Sequence, residues 1–243
     1  MESGRYLNHQ QCLVTNWRLK RELKYYSNIK ILIIGLLLLA FPVRAMAGNI
    51  TGTINVKGLR SPANILVYMT KTPAPAVNLS SARFVMDQRN LTFFPHILPV
   101  PAGATVSFPN NDKVDHNVFS LSRTKKFSLG SYKPGEIKTA RFDKSGIVEL
   151  RCDVHAEMLA YIMVMKNPYF AVTDAKGRFE ISDSKLMERT GLRDISKLPA
   201  GKYFIKTWHE KLKTKRKAVT LSDVGTVVIE LNLFRGTPSV LYK

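Results

Sequence analysis

Cysteine is scarce in this chain, and so are acidic residues and long apolar runs. Only two of the 243 residues are cysteine, Cys12 and Cys152, which is too few for a disulfide framework. Acidic residues number 18 against 37 lysines and arginines, so the formal net charge is +19. The uncharged apolar run 31–41 is shorter than the roughly 20 residues of a membrane-spanning helix. These features exclude a disulfide-stapled domain and a protein of several membrane helices, and an apolar content of 45% excludes a disordered chain.

The first 47 residues have the features of an export signal. Residues 1–30 are basic, the apolar run follows, and 45–47 is the small-x-small pattern that a signal peptidase cuts. The sequence therefore predicts a signal peptide over 1–47 and a periplasmic or otherwise exported protein. The basic flank is long, which leaves open a misassigned start or an uncleaved anchor. Removal of this segment takes Cys12 and leaves a net charge of +14.

The rest of the chain has the two-residue periodicity of β-strands. Apolar and polar residues alternate over 50–56, 105–108 and 227–233, and turn-forming residues cluster between such runs. Short strands at this spacing are typical of β-sandwiches. One segment, 182–195, has the pattern of a helix, with Ser184 as its N-cap. We expect an all-β protein.

Four side chains that bind metals occur close to predicted strand ends. Alternation places Cys152 on the inner face at the end of a strand, and His155 and Met158 follow in the next loop. His116 precedes another strand, 36 residues before Cys152. A thiolate, two imidazoles and a thioether are the ligands of a mononuclear blue-copper site. We therefore predict that His116, Cys152, His155 and Met158 bind one copper ion.

Each of these residues also has a simpler explanation. Cys152 alone is compatible with an inert buried thiol. His116 is adjacent to Asp115, with which it would form an ordinary surface pair. Met158 precedes an apolar run and would then belong to the core. The spacing C-x2-H-x2-M places three ligand types in one loop. A metal site explains this grouping at once, whereas the alternatives need a separate explanation for each residue.

Residues 82–166 resemble the cupredoxins, in particular the plastocyanin and amicyanin type. The similarity is carried by four segments that lead into the ligand-bearing loops, namely 91–95, 100–110, 115–119 and 142–148. The C-x2-H-x2-M spacing is similar to the short ligand loop of amicyanin. The resemblance implies a Greek-key β-sandwich with three equatorial copper ligands and an axial one, in order His116, Cys152, His155 and Met158.

The same resemblance assigns roles to Asn117 and His155. Asn117 would connect the two ligand-bearing loops through hydrogen bonds to the backbone near the cysteine. The ring edge of His155 would meet solvent and pass the electron. The loop departs from the family pattern in two ways. Val154 and Ala156 stand where prolines are usual, and Glu157 places a carboxylate beside the metal.

The segments on either side resemble a carboxypeptidase regulatory-like (transthyretin-like) β-sandwich. This resemblance rests on strands and turn sequences at 50–58, 64–68, 172–181 and 198–208. It implies a smaller, discontinuous sandwich formed by 48–81 and 167–243, with a cupredoxin domain, 82–166, inserted between its strands. The alternative is an extended N-terminal region on the cupredoxin, followed by an independent C-terminal domain.

The function predicted from these features is electron transfer. The protein would bind one copper ion, as Cu(I) or Cu(II), and shuttle single electrons between redox partners. Its basic charge favours a partner protein with an acidic surface, of the cytochrome or dehydrogenase class. The basic run 211–217 allows weak contact with an anionic membrane surface. Export, and the absence of aromatic residues between these cations, argue against nucleic acid.

Other functions are weighed against electron transfer. One is a copper-handling protein that delivers or stores Cu(I), and another is a metal-free scaffold that binds partners through the outer sandwich. An enzyme is not expected, because the ligands suffice for one copper centre only. The sequence also shows no Ser-His-Asp or paired-carboxylate arrangement.

Overall fold

The computed structural model describes residues 48–72, 78–79, 82–192, 198–222 and 225–238. The predicted signal segment, 1–47, lies outside the described residues. Within the described residues no helix is long and apolar enough to cross a membrane.

The described part of the chain contains seventeen strands and one helix. In chain order they are β1 (Asn49–Lys57), β2 (Leu66–Thr70), β3 (Phe84–Val85), β4 (Asp87–Arg89), β5 (Thr92–Phe94), β6 (Ile97–Pro101), β7 (Ala104–Pro109), β8 (His116–Ser122), β9 (Lys125–Tyr132), β10 (Ile137–Phe142), β11 (Gly146–Arg151), β12 (Leu159–Met165), β13 (Phe170–Val172), β14 (Arg178–Ile181), α1 (Asp183–Thr190), β15 (Gly201–Trp208), β16 (Arg216–Leu221) and β17 (Thr226–Phe234). The predicted all-β class is therefore confirmed.

Two sheets combine strands from the beginning and the end of the described chain. Their strand orders are β14-β1-β17 and β13-β2-β15-β16. Strand β1 pairs with β17 in parallel along its whole length, and β2 pairs with β13 and β15. Alternate residues such as Ile54, Ile205 and Leu231 form one hydrophobic core. This pairing joins 49–70 to 170–234, while the domain boundaries predicted from the sequence stay a prediction.

The middle of the chain forms a second group of sheets around a second core, to which Leu66, Tyr68, Phe170 and Trp208 of the first group also contribute. The strand orders are β10-β7-β3 and β6-β12-β11-β8-β9, with a two-stranded sheet of β4 and β5. In β7 the predicted alternation places Val106 and Phe108 inside, and they pack with Val148 and Ile162 of the larger sheet. Two sheets whose apolar faces pack on one core form a β-sandwich.

Helix α1 is shorter than the predicted segment 182–195, and its N-cap is not the predicted serine. Helix α1 has Ser182 as its N-cap, whose side chain accepts a hydrogen bond from Lys185 N at 3.3 Å, so the predicted cap Ser184 is wrong. Gly191 ends the helix with φ 67° and donates its backbone N–H to Met187 O. Glycine adopts this left-handed conformation without a steric penalty, which is why the helix stops here.

His96 connects the two groups of sheets. Its Nδ1 lies 3.2 Å from Leu159 O in β12, and its Nε2 lies 3.2 Å from Glu210 Oε1, just beyond β15. Tyr161 and Trp208 meet beside this contact with their ring centroids 5.1 Å apart. The contact therefore joins the middle of the chain to a segment more than one hundred residues later.

We expect Glu210→Gln to lower the free energy of unfolding at neutral pH by about 1–2 kcal/mol, because an amide forms a weaker hydrogen bond to His96 than a carboxylate. Burial raises the pKa of Glu210, but the hydrogen bond from His96 and the charge of His209 outweigh it and hold this pKa below its ordinary value. A glutamate whose pKa is lower in the folded state than in the unfolded state stabilises the fold at pH values above its unfolded-state pKa. The wild type loses this contribution as the pH falls through the folded-state pKa of Glu210.

Urea titrations at neutral and at acid pH test this prediction. Glu188→Gln is the matched control, since Glu188 forms an exposed ion pair with Lys185, which contributes little. The prediction would be contradicted if both variants lost the same free energy of unfolding. It would also be contradicted if the difference between Glu210→Gln and the wild type were the same at acid pH as at neutral pH.

Candidate metal centre

Strand pairing brings the ligand-bearing segments together. Strand β11 is antiparallel to β8, with Arg151 opposite Phe119, so the end of β11 lies beside the beginning of β8. Cys152 directly follows β11, and His116 is the first residue of β8. The two side chains are therefore neighbours in space although they are 36 positions apart in the sequence.

Three donor atoms converge at this end of the sandwich. Cys152 Sγ lies 3.9 Å from His116 Nδ1 and 3.9 Å from His155 Nδ1, and the two Nδ1 atoms are 3.1 Å apart. The exposed fraction is 0% for His116 and 4% for Cys152, while His155 is half-buried. Among the described residues, these three are the only group of three His, Cys, Asp or Glu whose donor atoms meet in this way.

Asp112 determines which nitrogen of His116 faces the cysteine. His116 Nε2 lies 3.1 Å from Asp112 Oδ2. Hydrogen bonds from Leu91 N, from His116 and from Lys113 N together lower the pKa of Asp112 to about 2, against the opposing effect of burial. The ionised carboxylate only accepts, so Nε2 carries a proton, and in the neutral ring it is then Nδ1 that keeps the lone pair on the side of Cys152. This is the protonation state that a metal ligand needs.

A buried asparagine supports the turn that carries Asp112. Asn110 is fully buried, its Nδ2 donates to Val114 O at 2.9 Å, and its Oδ1 accepts from Asp112 N at 3.1 Å. The sequence predicts only a turn at 109–112, and it does not identify Asp112 as a partner of His116. The signal was the four-residue spacing between them. The explanation of His116 as a surface pair with Asp115 is wrong, because His116 is fully buried and its Nε2 contacts Asp112.

The predicted link between the two ligand-bearing loops is confirmed. Asn117 Oδ1 accepts a hydrogen bond from Asp153 N, the residue after Cys152, at 2.9 Å. His116, Asn117 and Val118 are all buried, which strict strand alternation does not allow. A register shift in the β8–β9 pair between Asn117 and Phe119 explains it, because a β-bulge turns a side chain to the other face.

Met158 is buried, whereas the neighbouring Glu157 is exposed. Met158 N donates to His155 O at 3.0 Å, and its side chain is buried in the same core as Cys152. Glu157 is exposed and does not belong to the converging group. The structure thus brings His116, Cys152 and His155 together at donor-atom distances and places Met158 in the adjoining core.

Comparison with known proteins identifies structural relatives only. No family model and no curated protein matches the sequence. A purple cupredoxin from Nitrosopumilus maritimus is 21% identical, and the match covers 34% of this chain and 99% of that chain with a TM-score of 0.31. A reduced amicyanin variant is 20% identical, with 40% of this chain and 99% of that chain covered and a TM-score of 0.33. The structural neighbours are cupredoxins.

An enzyme is also among the matching structures. The copper-containing nitrite reductase from Thermus scotoductus is 20% identical, and the match covers 46% of this chain but only 28% of the reductase, with a TM-score of 0.34. The sequence-based prediction excluded an enzyme, and this match shows that the exclusion is wrong. Its reason, the count of ligands for one copper centre, does not determine which reactions a fold supports.

Proposed function

We propose that this protein binds one copper ion through His116, Cys152 and His155, with Met158 as the axial ligand, and carries single electrons between proteins. The observation that carries the proposal is the convergence of two imidazole Nδ1 atoms and one thiol within 3.9 Å in a closely packed site. Soft thiolate and imidazole ligands together suit both oxidation states of copper.

The donor atoms can hold a cation between them. The two Nδ1 atoms are 3.1 Å apart, and the contact of His116 with Asp112 leaves a lone pair on Nδ1 of the neutral His116 ring. In one tautomer of His155 its Nδ1–H donates a hydrogen bond to this lone pair, and in the other tautomer both nitrogens and the thiolate are free to bind a metal ion. Bound copper would supply a one-electron couple at this position.

The surrounding residues limit how far the ligands move between two oxidation states. Asp112 holds the ring of His116, and the hydrogen bond from Asp153 N to Asn117 holds the cysteine loop against β8. Burial of His116 and Cys152 keeps water from both. A site that rearranges little exchanges electrons rapidly, because less reorganisation accompanies each transfer.

His155 is the exit for the electron in this proposal. It is half-buried, whereas His116 is 0% exposed, and the adjacent Val154 is 58% exposed. A partner that packs against Val154 would approach the His155 ring. The net charge of +14 that remains without residues 1–47 favours an acidic surface on such a redox protein, so association should weaken as ionic strength rises.

The segments outside the copper-binding part belong to the same proposal. Export is supported by the sequence pattern of 1–47, and a discontinuous transthyretin-like sandwich is supported by the parallel pairing of β1 with β17. A cupredoxin domain over 82–166 would then be carried between two strands of the outer sandwich.

A titration of the purified protein with Cu(II) tests the proposal. We expect one equivalent to bind, with an intense visible thiolate-to-copper band, a narrow copper hyperfine splitting and reversible reduction at one potential. Zn(II)-loaded protein is the control and should stay colourless, because this ion has a filled d shell. Binding without the visible band contradicts the proposal. Transfer of Cu(I) to a chelator without reversible cycling would instead support copper delivery, and failure to bind would support a scaffold.

A further inference from the structure

One face of the sheet β13-β2-β15-β16 packs against the second core through Leu66, Tyr68, Phe170 and Trp208, and the neighbouring part of the same face carries only positive charges. Alternate residues of β15 and β16 share this face and are partly or fully exposed, namely Lys202, Phe204, Lys206, Arg216, Ala218 and Thr220, while exposed Lys217 belongs to the opposite face. The strand register places Phe204 beside Thr70 and Ala218, and Lys206 opposite Arg216. Lys71 also reaches this face, with Nζ 5.6 Å from the Phe204 ring centroid. We call Lys71, Lys202, Lys206 and Arg216, arranged around Phe204, the cationic face.

The arrangement of these charges is unfavourable for the isolated sheet. Lys206 and Arg216 are directly opposite in an antiparallel pair, where like charges repel. None of the described residues of β15 and β16 is acidic. The one acidic residue between these strands is Glu210, which is mostly buried and contacts His96. The cationic face therefore keeps a positive potential that a negatively charged surface would neutralise.

An aromatic ring lies among these cations. The guanidinium carbon of Arg216 is 3.5 Å from the Phe204 ring centroid, which is a close cation–π contact. A guanidinium that stacks on a ring keeps the N–H groups of its plane available, and this planar set matches phosphate oxygens. Basic residues around an apolar ring are typical of surfaces that bind the headgroup region of membranes.

We propose that the cationic face binds the anionic headgroup surface of a lipid bilayer. The charges extend over neighbouring strands and roughly 13 Å along β15 from Lys202 to Lys206. A bilayer presents negative charge continuously and neutralises all four cations at once, whereas a protein would need an acidic cluster with the same layout. The binding goes beyond electron transfer and does not depend on copper. It assigns membrane contact to the sheet face rather than to the basic run 211–217.

Co-sedimentation of the full protein with vesicles tests the proposal. We expect binding to phosphatidylcholine vesicles that contain phosphatidylglycerol, none to pure phosphatidylcholine, and release at high salt. The double variant Lys206→Gln/Arg216→Gln should bind about 25-fold more weakly, because each cation near an anionic surface contributes about fivefold. Lys133→Gln/Lys144→Gln removes the same charge from exposed turns near β9 and β11, and should bind like the wild type.

Three results would overturn the proposal. The first is an absence of binding to phosphatidylglycerol vesicles at low salt. The second is an equal loss in the two double variants, since net charge alone would then explain the binding. The third is equally tight binding to soluble polyglutamate with the same loss in Lys206→Gln/Arg216→Gln, which would indicate an acidic protein instead. Far-UV circular dichroism and urea titrations verify that every variant is folded, and the Cu(II) spectrum should not change in either one.

Discussion

Cys152→Ser is expected to abolish the thiolate-to-copper absorption of the Cu(II)-loaded protein and to weaken copper binding by orders of magnitude. Cys152 is the one free cysteine among the described residues, and it is buried 3.9 Å from both imidazoles. Serine keeps nearly the same size but offers a hydroxyl, which is a poor ligand for either copper ion. His116 and His155 remain, so any residual copper should give only a weak absorption.

Met158→Leu is the matched control for this result. Leucine has a similar volume and preserves the packing of a side chain that is only 1% exposed. We expect this variant to keep the intense band, because the equatorial ligands remain, and to shift the reduction potential. The unfolding free energy of the metal-free Cys152→Ser protein separates a ligand effect from a folding defect. A band that survives Cys152→Ser would reject the proposed centre.

Asp112→Asn is expected to lower the Cu(II) affinity by about 10–100-fold, the usual effect of removing a partner of a metal-ligating histidine. Asparagine still offers an oxygen to Nε2 of His116, so the variant removes the negative charge more than the contact. That charge stabilises the oxidised site more than the reduced one. The reduction potential should therefore rise, as measured by voltammetry on the copper-loaded protein.

Asp115→Asn is the control for Asp112. The two aspartates are three positions apart, and both changes remove one negative charge near His116. Asp115 is exposed, whereas Asp112 contacts the ring directly. We expect Asp115→Asn to change neither the affinity nor the potential appreciably, because exposed charges are screened by solvent. Equal effects of the two variants would show that His116 responds to the general field and not to the carboxylate on Nε2.

The local part of the candidate site was predictable from the sequence. Cys152, His155 and Met158 lie within seven residues, and alternation along the preceding strand already placed the thiol on the inner face. A loop of this length cannot carry its side chains far apart, so the spacing alone restricted the geometry. The addition of His116 rested on resemblance and on residue type, and the structure confirms its proximity to Cys152.

The helix and the role of Asp112 show where local patterns were insufficient. Ser182 and Ser184 are equally good caps by residue type, and the choice between them depends on where the chain leaves β14. In the same way Asp112 and Asp115 are both close to His116 in sequence. The turn held by buried Asn110 directs one of them to the ring and leaves the other in solvent.

The sequence by itself determined the all-β class, the three candidate ligands of one loop and the strongly basic charge, because alternation, spacing and composition are properties of neighbouring residues. The tertiary structure decided which carboxylate meets His116, that β1 pairs with β17, and that Lys206 stands opposite Arg216. Each of these depends on strand register between segments that are distant in the chain. Register is selected by the packing of whole faces against a core, which no single segment specifies.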